Sequence, residues 1–126
     1  MIRCCLLVAL LLVSVAVRAD DPEVEYLLGW IRQSECVFVR NGDDHTATEA
    51  ADHLAMKYHR VSRWIDDADE FIERIATGSS ISGKPYTVRC PELPPQTSQA
   101  WLTQALTEHR QLHASSDQQA AVLQTP

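Results

Sequence analysis

The chain has 126 residues, with 11 Lys and Arg against 17 Asp and Glu and a formal net charge of −6. That length suits one domain with a single modest core. The acidic balance disfavours nucleic acid or anionic lipid as the main partner, because both are bound through clusters of Lys and Arg.

Residues 1–19 read as a signal peptide. Arg3 precedes an uninterrupted small and apolar run from Cys4 to Val17, too short for a transmembrane helix, which needs roughly 20 apolar residues. Val17-Arg18-Ala19 puts small residues at the two positions a leader peptidase reads, so cleavage is expected between Ala19 and Asp20. The product would be periplasmic or secreted, with no membrane insertion. Cys4 and Cys5 lie at the wrong end of the run to become an acylated first residue. Cleavage removes Arg3 and Arg18 and no acidic residue, which moves the formal charge from −6 to −8.

In DDPEVEYLLGWI, Asp21 can cap a helix with Pro22 at its first position, and Val24, Leu27, Leu28 and Ile31 make an i, i+3, i+4, i+7 stripe. CVFVR is β-branched and aromatic and reads as a strand that Asn41-Gly42 stops. Thr46-x-x-Glu49 reads as a capping box opening the longest helix, with a stripe of Ala47, Ala51, Leu54, Tyr58, Val61 and Ile65. A third helix restarts at Asp67, carries Ala68, Phe71, Ile72 and Ile75, and stops at Gly78. PYTVRC reads as a second strand. After Pro91-x-x-Pro94-Pro95, a last helix shows Trp101, Leu102, Ala105, Leu106 and Leu112. The expected fold is mainly α with a small two-stranded antiparallel β-ribbon: about four helices in one globular domain over residues 20–113. Residues 114–126, rich in Ser, Gln and Ala, are expected to be a disordered tail.

After cleavage only Cys36 and Cys90 remain, and an exported chain with two cysteines is expected to pair them. Such a bridge closes a loop of roughly 55 residues, which chain entropy values at roughly 4 kcal/mol. Placing the two cysteines opposite each other in an antiparallel pair sets Phe38 against Val88 and Arg40 against Tyr86 on one face. Arg40 over Tyr86 then reads as a cation–π pair or as an ordinary edge contact.

GSSISGKPY, from Gly78 to Tyr86, approaches the phosphate-loop pattern G-x-x-x-x-G-K-[ST] but puts Pro85 where the hydroxyl belongs. A phosphate loop follows a strand and opens a helix; this segment ends a helix and feeds a strand, so it reads as a plain connection.

The runs FVRNGDDHT, EAADHLAMKY and DEFIERIATGSSISGKPY resemble the YfeK-like family of small exported bacterial proteins, a domain of unknown function, from about Glu23 to His109. The match is specific at Arg40, Asn41 and Gly42, at Glu49, Ala50, His53, Leu54 and Lys57, and at Ser79, Ser80 and Gly83 to Tyr86. The resemblance implies a periplasmic, mostly helical domain whose polar motif positions merit testing. It carries no activity.

Glu49, His53 and Lys57 fall at i, i+4, i+8 in one row flanking the apolar stripe. A partly desolvated boundary row suits acid–base chemistry; the same row also serves as a plain charge ladder that supports the helix. A metal site would start from Glu49 with His53 or from His109 with His113, with a third ligand from Asp43, Asp44 or His45; no H-E-x-x-H is present, and we expect neither metal nor cofactor. Two main function classes follow. One is a non-catalytic envelope module that binds a protein or a small anionic ligand through Arg40, Asn41, Glu49, His53, Lys57, Lys84 and Tyr86. The alternative is a small hydrolytic enzyme using His53 and Glu49 with Ser79, Ser80 or Ser82. A protease-inhibitor-like role fits the size and the bridge as well.

Overall fold

The computed structural model describes residues 20–125. The signal peptide expected over residues 1–19 lies outside them. Four helices pack against one antiparallel sheet in the order α1 (Pro22–Gln33), β1 (Val37–Arg40), β2 (Asp43–His45), α2 (Ala47–Val61), α3 (Ala68–Glu70), β3 (Thr87–Arg89), β4 (Gln96–Thr97) and α4 (Ser98–Leu123). A 3₁₀ turn, Ser62–Trp64, follows α2, and a π-helical turn, Phe71–Ile75, prolongs α3.

The helix starts follow from their caps. Asp21 accepts from the amides of Glu23 and Val24 ahead of α1. Both halves of the capping box are present at α2: Thr46 Oγ1 accepts from the Glu49 amide at 3.2 Å, and Glu49 Oε2 accepts from the Thr46 amide at 2.9 Å. Asp67 caps the Glu70 amide at 2.9 Å, while the Glu70 carboxylate reaches one residue further back, to the Asp66 amide.

The apolar stripes meet in one core: Val24, Leu27, Leu28 and Ile31 from α1, Ala51, Leu54 and Tyr58 from α2, and Trp101, Leu102, Ala105 and Leu106 from α4. Phe71 lies at its centre, edge-on to Tyr58 at 5.6 Å. Phe38 and Val88 cover the core from the sheet, Phe38 edge-on to Trp101 at 5.5 Å. The Cys36–Cys90 bridge is formed, with Cα atoms 4.2 Å apart, and the pairs Phe38–Val88 and Val39–Thr87 keep the expected register.

Several expectations need correction. The ribbon has four strands, not two, in the order β2-β1-β3-β4. Asn41-Gly42 does not merely stop β1: with φ of 52° and 82° and Arg40 paired to Asp43, it is a two-residue hairpin turn leading into β2. At the other end, α4 runs on to Leu123 through the segment expected to be disordered, because no Gly or Pro falls between Pro95 and Pro126 and Ala and Gln are good helix formers. At 26 residues α4, and not the 15-residue α2 opened by the capping box, is the longest helix, and α2 stops at Val61, short of the Ile65 expected on its stripe. From Gln111 to Leu123 every residue of that extension is exposed, Leu112 included. Consequently His109 and His113 lie within a helix and not in its last turn, and His109 stacks on Tyr26 at 3.7 Å. Arg110 fastens the inner part of α4 by gripping Glu23 of α1 through two bonds of 2.8 Å and Asp69 of α3 at 2.9 Å. That grip holds the Glu23 carboxyl below its usual range.

Candidate ligand-binding site

Three elements converge beside α2. Its row of His53 and Lys57 faces the end of β1, which delivers Arg40, and the start of the stretch entering β3, which delivers Tyr86. Arg40 Nη1 lies 2.7 Å from His53 Nδ1 and 2.9 Å from Nε2. One lone pair of the ring accepts from the guanidinium, so the contact needs a neutral imidazole. Burial, followed by the fields of Arg40 and Lys57, pushes the His53 pKa below its ordinary value and keeps the ring neutral. Tyr86, almost fully buried, holds its ring edge-on to His53 with centroids 6.3 Å apart, and its hydroxyl lies 3.4 Å from Nε2.

Lys57 is saturated. Its ammonium donates to the carbonyls of Ile75 at 2.9 Å and Gly78 at 3.1 Å and to the Tyr86 hydroxyl at 3.1 Å, which uses all three of its protons. It thereby ties α2 to the end of the π turn and to the loop beyond. The cation over the Tyr86 ring is Lys57, 5.1 Å from the centroid, in place of the Arg40 contact that strand pairing alone suggested.

The loop 78–84 closes on itself. Ser79 N donates to Lys84 O, Gly83 N to Ser79 O, and the amides of Ile81 and Ser82 both point at Ser79 Oγ at 3.3 Å. Those amides are consumed internally, so no cradle for phosphate exists here. Gly78 must be glycine, because a Cβ there would stand 2.9 Å from the Lys84 carbonyl oxygen.

Along one side of this convergence runs a cleft of about 440 Å³, bordered by Arg40, His53, Lys57, Arg60, Tyr86 and Ser80, with Asp43 as its single acid. None of the ion pairs among the described residues uses Arg40, Lys57 or Arg60. The cleft is therefore a cationic spot on a chain whose net charge is −6.

The expected site residues divide. Arg40, His53, Lys57 and Tyr86 meet. Asn41 stands at the rim, bonded to Ser79 and Ser82. Glu49 turns away to cap its own helix, and its other neighbour is His45 Nδ1 at 3.6 Å. The exposed Lys84 is not among the residues bordering the cleft. Glu49, His53 and Lys57 each bond away from one another, although Glu49 keeps an i,i+4 neighbour in His45. Ser79 Oγ and Ser82 Oγ bond within the loop and to Asn41, while Ser80 borders the cleft with His53; Glu49, turned to its own cap, does not bond His53. Among the described residues no three His, Cys, Asp or Glu side chains gather as a metal site. Sequence reasoning missed Arg60, which falls three residues after Lys57 and seven after His53, on the same helix face.

Residues 18–110 match the sequence profile of a family of unknown function, DUF5329. The chain belongs to that family. It is also similar to the uncharacterized protein YfeK of Salmonella typhimurium, 41% identical over an alignment of 87 residues that covers 65% of this chain and 72% of the relative. No solved structure matches the chain. The aligned DUF5329 region includes every residue of the cleft and stops at Arg110, where α4 leaves the body of the domain.

Proposed function

We propose that this DUF5329 chain is an exported, non-catalytic module of the cell envelope that binds an anionic ligand, a carboxylate or phosphate group on a small molecule or protein, in the cleft between α2 and the 78–84 loop. The observation that carries this reading is the placement of Arg40, Lys57 and Arg60, none of them ion-paired among the described residues, around one cleft with a single acid. In this reading the roles differ. Lys57, with its protons committed, supplies field and rigidity. Arg40 bonds His53 through one nitrogen, which leaves the other arm of its fork for a bidentate contact with an oxyanion. Arg60, exposed at the rim, closes over the ligand. The neutral His53 orients Arg40 without adding a charge that would repel it. Export is supported by the leader-like residues 1–19, by the disulfide, and by the lack of any helix among the described residues long and apolar enough to cross a membrane.

The test is a pull-down from cell-envelope extract with wild type, Arg60→Glu and Arg40→Ala in parallel, each first melted to establish that it folds. Arg60→Glu is expected to melt as wild type and to lose the captured partner or ligand. Retention of every partner at wild-type yield by both variants sinks the proposal.

A further inference from the structure

The cationic cleft has a neighbour. A cavity of about 340 Å³ shares Lys57, Arg60 and Ser80 with it as a common border and continues past Val61 and Trp64, over the buried Ile65 and Ile75. No Asp or Glu borders this cavity, yet most of its cations are committed. Lys57 spends its protons on two carbonyls and the Tyr86 hydroxyl, and Arg74 donates to the Trp64 carbonyl at 2.8 Å and lies 3.7 Å from the Glu70 carboxylate. Only Arg60 is without an ion pair there among the described residues, and it belongs to both cavities. What the second cavity leaves unmatched is apolar surface.

Trp64 is the main part of that surface, with 52% of the residue exposed. Met56 and Ile81, on the border of the adjoining cleft, are exposed as well, so open apolar side chains collect around the free guanidinium. The indole is held in place: Arg74 fixes its backbone carbonyl, and the Arg63 guanidinium lies over the ring, 3.8 Å from the centroid. Arg63 does not border the cavity, which therefore meets indole surface that Arg63 leaves uncovered. A flat side chain already ordered loses little freedom on binding and favours a flat partner.

Resting on the anion-binding reading above, we infer that the ligand is an oxyanion joined directly to an aromatic ring, of the aryl phosphate or aryl carboxylate class. The anion sits between Arg40 and Arg60, and the ring lies in the second cavity against Trp64 and Val61. Arg60, on the common border, stands where the two parts join. A second anionic group in place of the ring would find no cation there besides Arg60 that is not already committed.

NMR titration of the purified, disulfide-bonded protein with methyl phosphate and with phenyl phosphate tests the inference, because the two share an anionic head and differ in the ring. Phenyl phosphate is expected to bind about tenfold more tightly, from the stacking and burial of that ring. Trp64→Ala should remove the preference and leave methyl phosphate binding unchanged. Independently of any variant, the phenyl protons should move upfield on binding to wild type and show NOEs to the Val61 methyl groups. Equal affinity for the two probes, a preference that survives Trp64→Ala, or missing Val61 NOEs overturns the inference while methyl phosphate binding leaves the anion site standing. If neither probe binds, the anion site falls and the inference with it.

Discussion

Helix α2 and the outer half of α4 carry sequences of the same kind, polar side chains repeated at four-residue spacing, and they end in opposite situations. On α2, His53 and Lys57 are met by Arg40 from β1, by Tyr86 beside β3 and by carbonyls at the end of the π turn. On α4, His113 finds only its own helix, through the His109 carbonyl at 3.2 Å, and every residue from Gln111 to Thr125 is exposed. Spacing creates a row; a packed neighbour turns the row into a convergence of side chains. The neighbour at α2 exists because the Cys36–Cys90 bridge and the β1–β3 register bring Arg40 and Tyr86 to the same edge.

Four measurements break or sharpen this contrast. The largest effect is expected from the staple that holds the partners of α2: Cys36→Ser with Cys90→Ser should lower stability in denaturant by roughly 4 kcal/mol. A loss below about 1 kcal/mol would show that the sheet edge is set without it. Next comes Lys57→Met, which keeps the aliphatic stem but strands two carbonyls and the Tyr86 hydroxyl; a loss of about 2 kcal/mol is expected from chemical unfolding. If Lys57→Met costs no more than Lys84→Met, Lys57 is an ordinary surface lysine.

A smaller effect is expected with pH. The His53 pKa lies below the ordinary value of 6.5 in the folded protein, so unfolding takes up a proton in the window beneath 6.5. The contribution of His53 to stability is therefore complete above that value and is lost as pH falls from about 6.5 toward the depressed one. Stability curves of wild type and His53→Gln should diverge in that window, with wild type the steeper; parallel curves would contradict a neutral, enclosed ring. The smallest effect belongs to α4. Ending the chain at His113 should change stability by less than about 0.5 kcal/mol, and a loss above about 2 kcal/mol would mean that the outer half packs after all.

What was legible in the sequence was mostly local. Asp21-Pro22 and Thr46-x-x-Glu49 named two helix starts, because caps act within three residues. The register of β1 on β3 followed from a single covalent constraint, since a period of two fixes every later pair once one is known. β2 was missed because Asp43 and Asp44 are poor strand residues, although Asn41-Gly42 ahead of them is a strong hairpin signal; β4, only Gln96–Thr97, is too short to announce itself. Within the site, Arg40, His53, Lys57 and Tyr86 were named in advance, but Glu49 shared their spacing and turned out to serve its own cap. Arg60 was overlooked because the helix face was read in steps of four. The partner choices of Lys57, two backbone carbonyls from a distant turn, are tertiary and leave no trace in spacing.

The central claim is that the cleft beside His53 takes an anion, and the most direct test is an NMR pH titration of the His53 imidazole with and without inorganic phosphate, in wild type and in Arg60→Ala. A phosphate held against Arg40 and Arg60 offsets the positive field on the ring, so its pKa should rise toward the ordinary value as phosphate saturates, and rise less in Arg60→Ala. A His53 pKa that stays fixed as phosphate is added, or that moves equally in Arg60→Ala, would contradict the account.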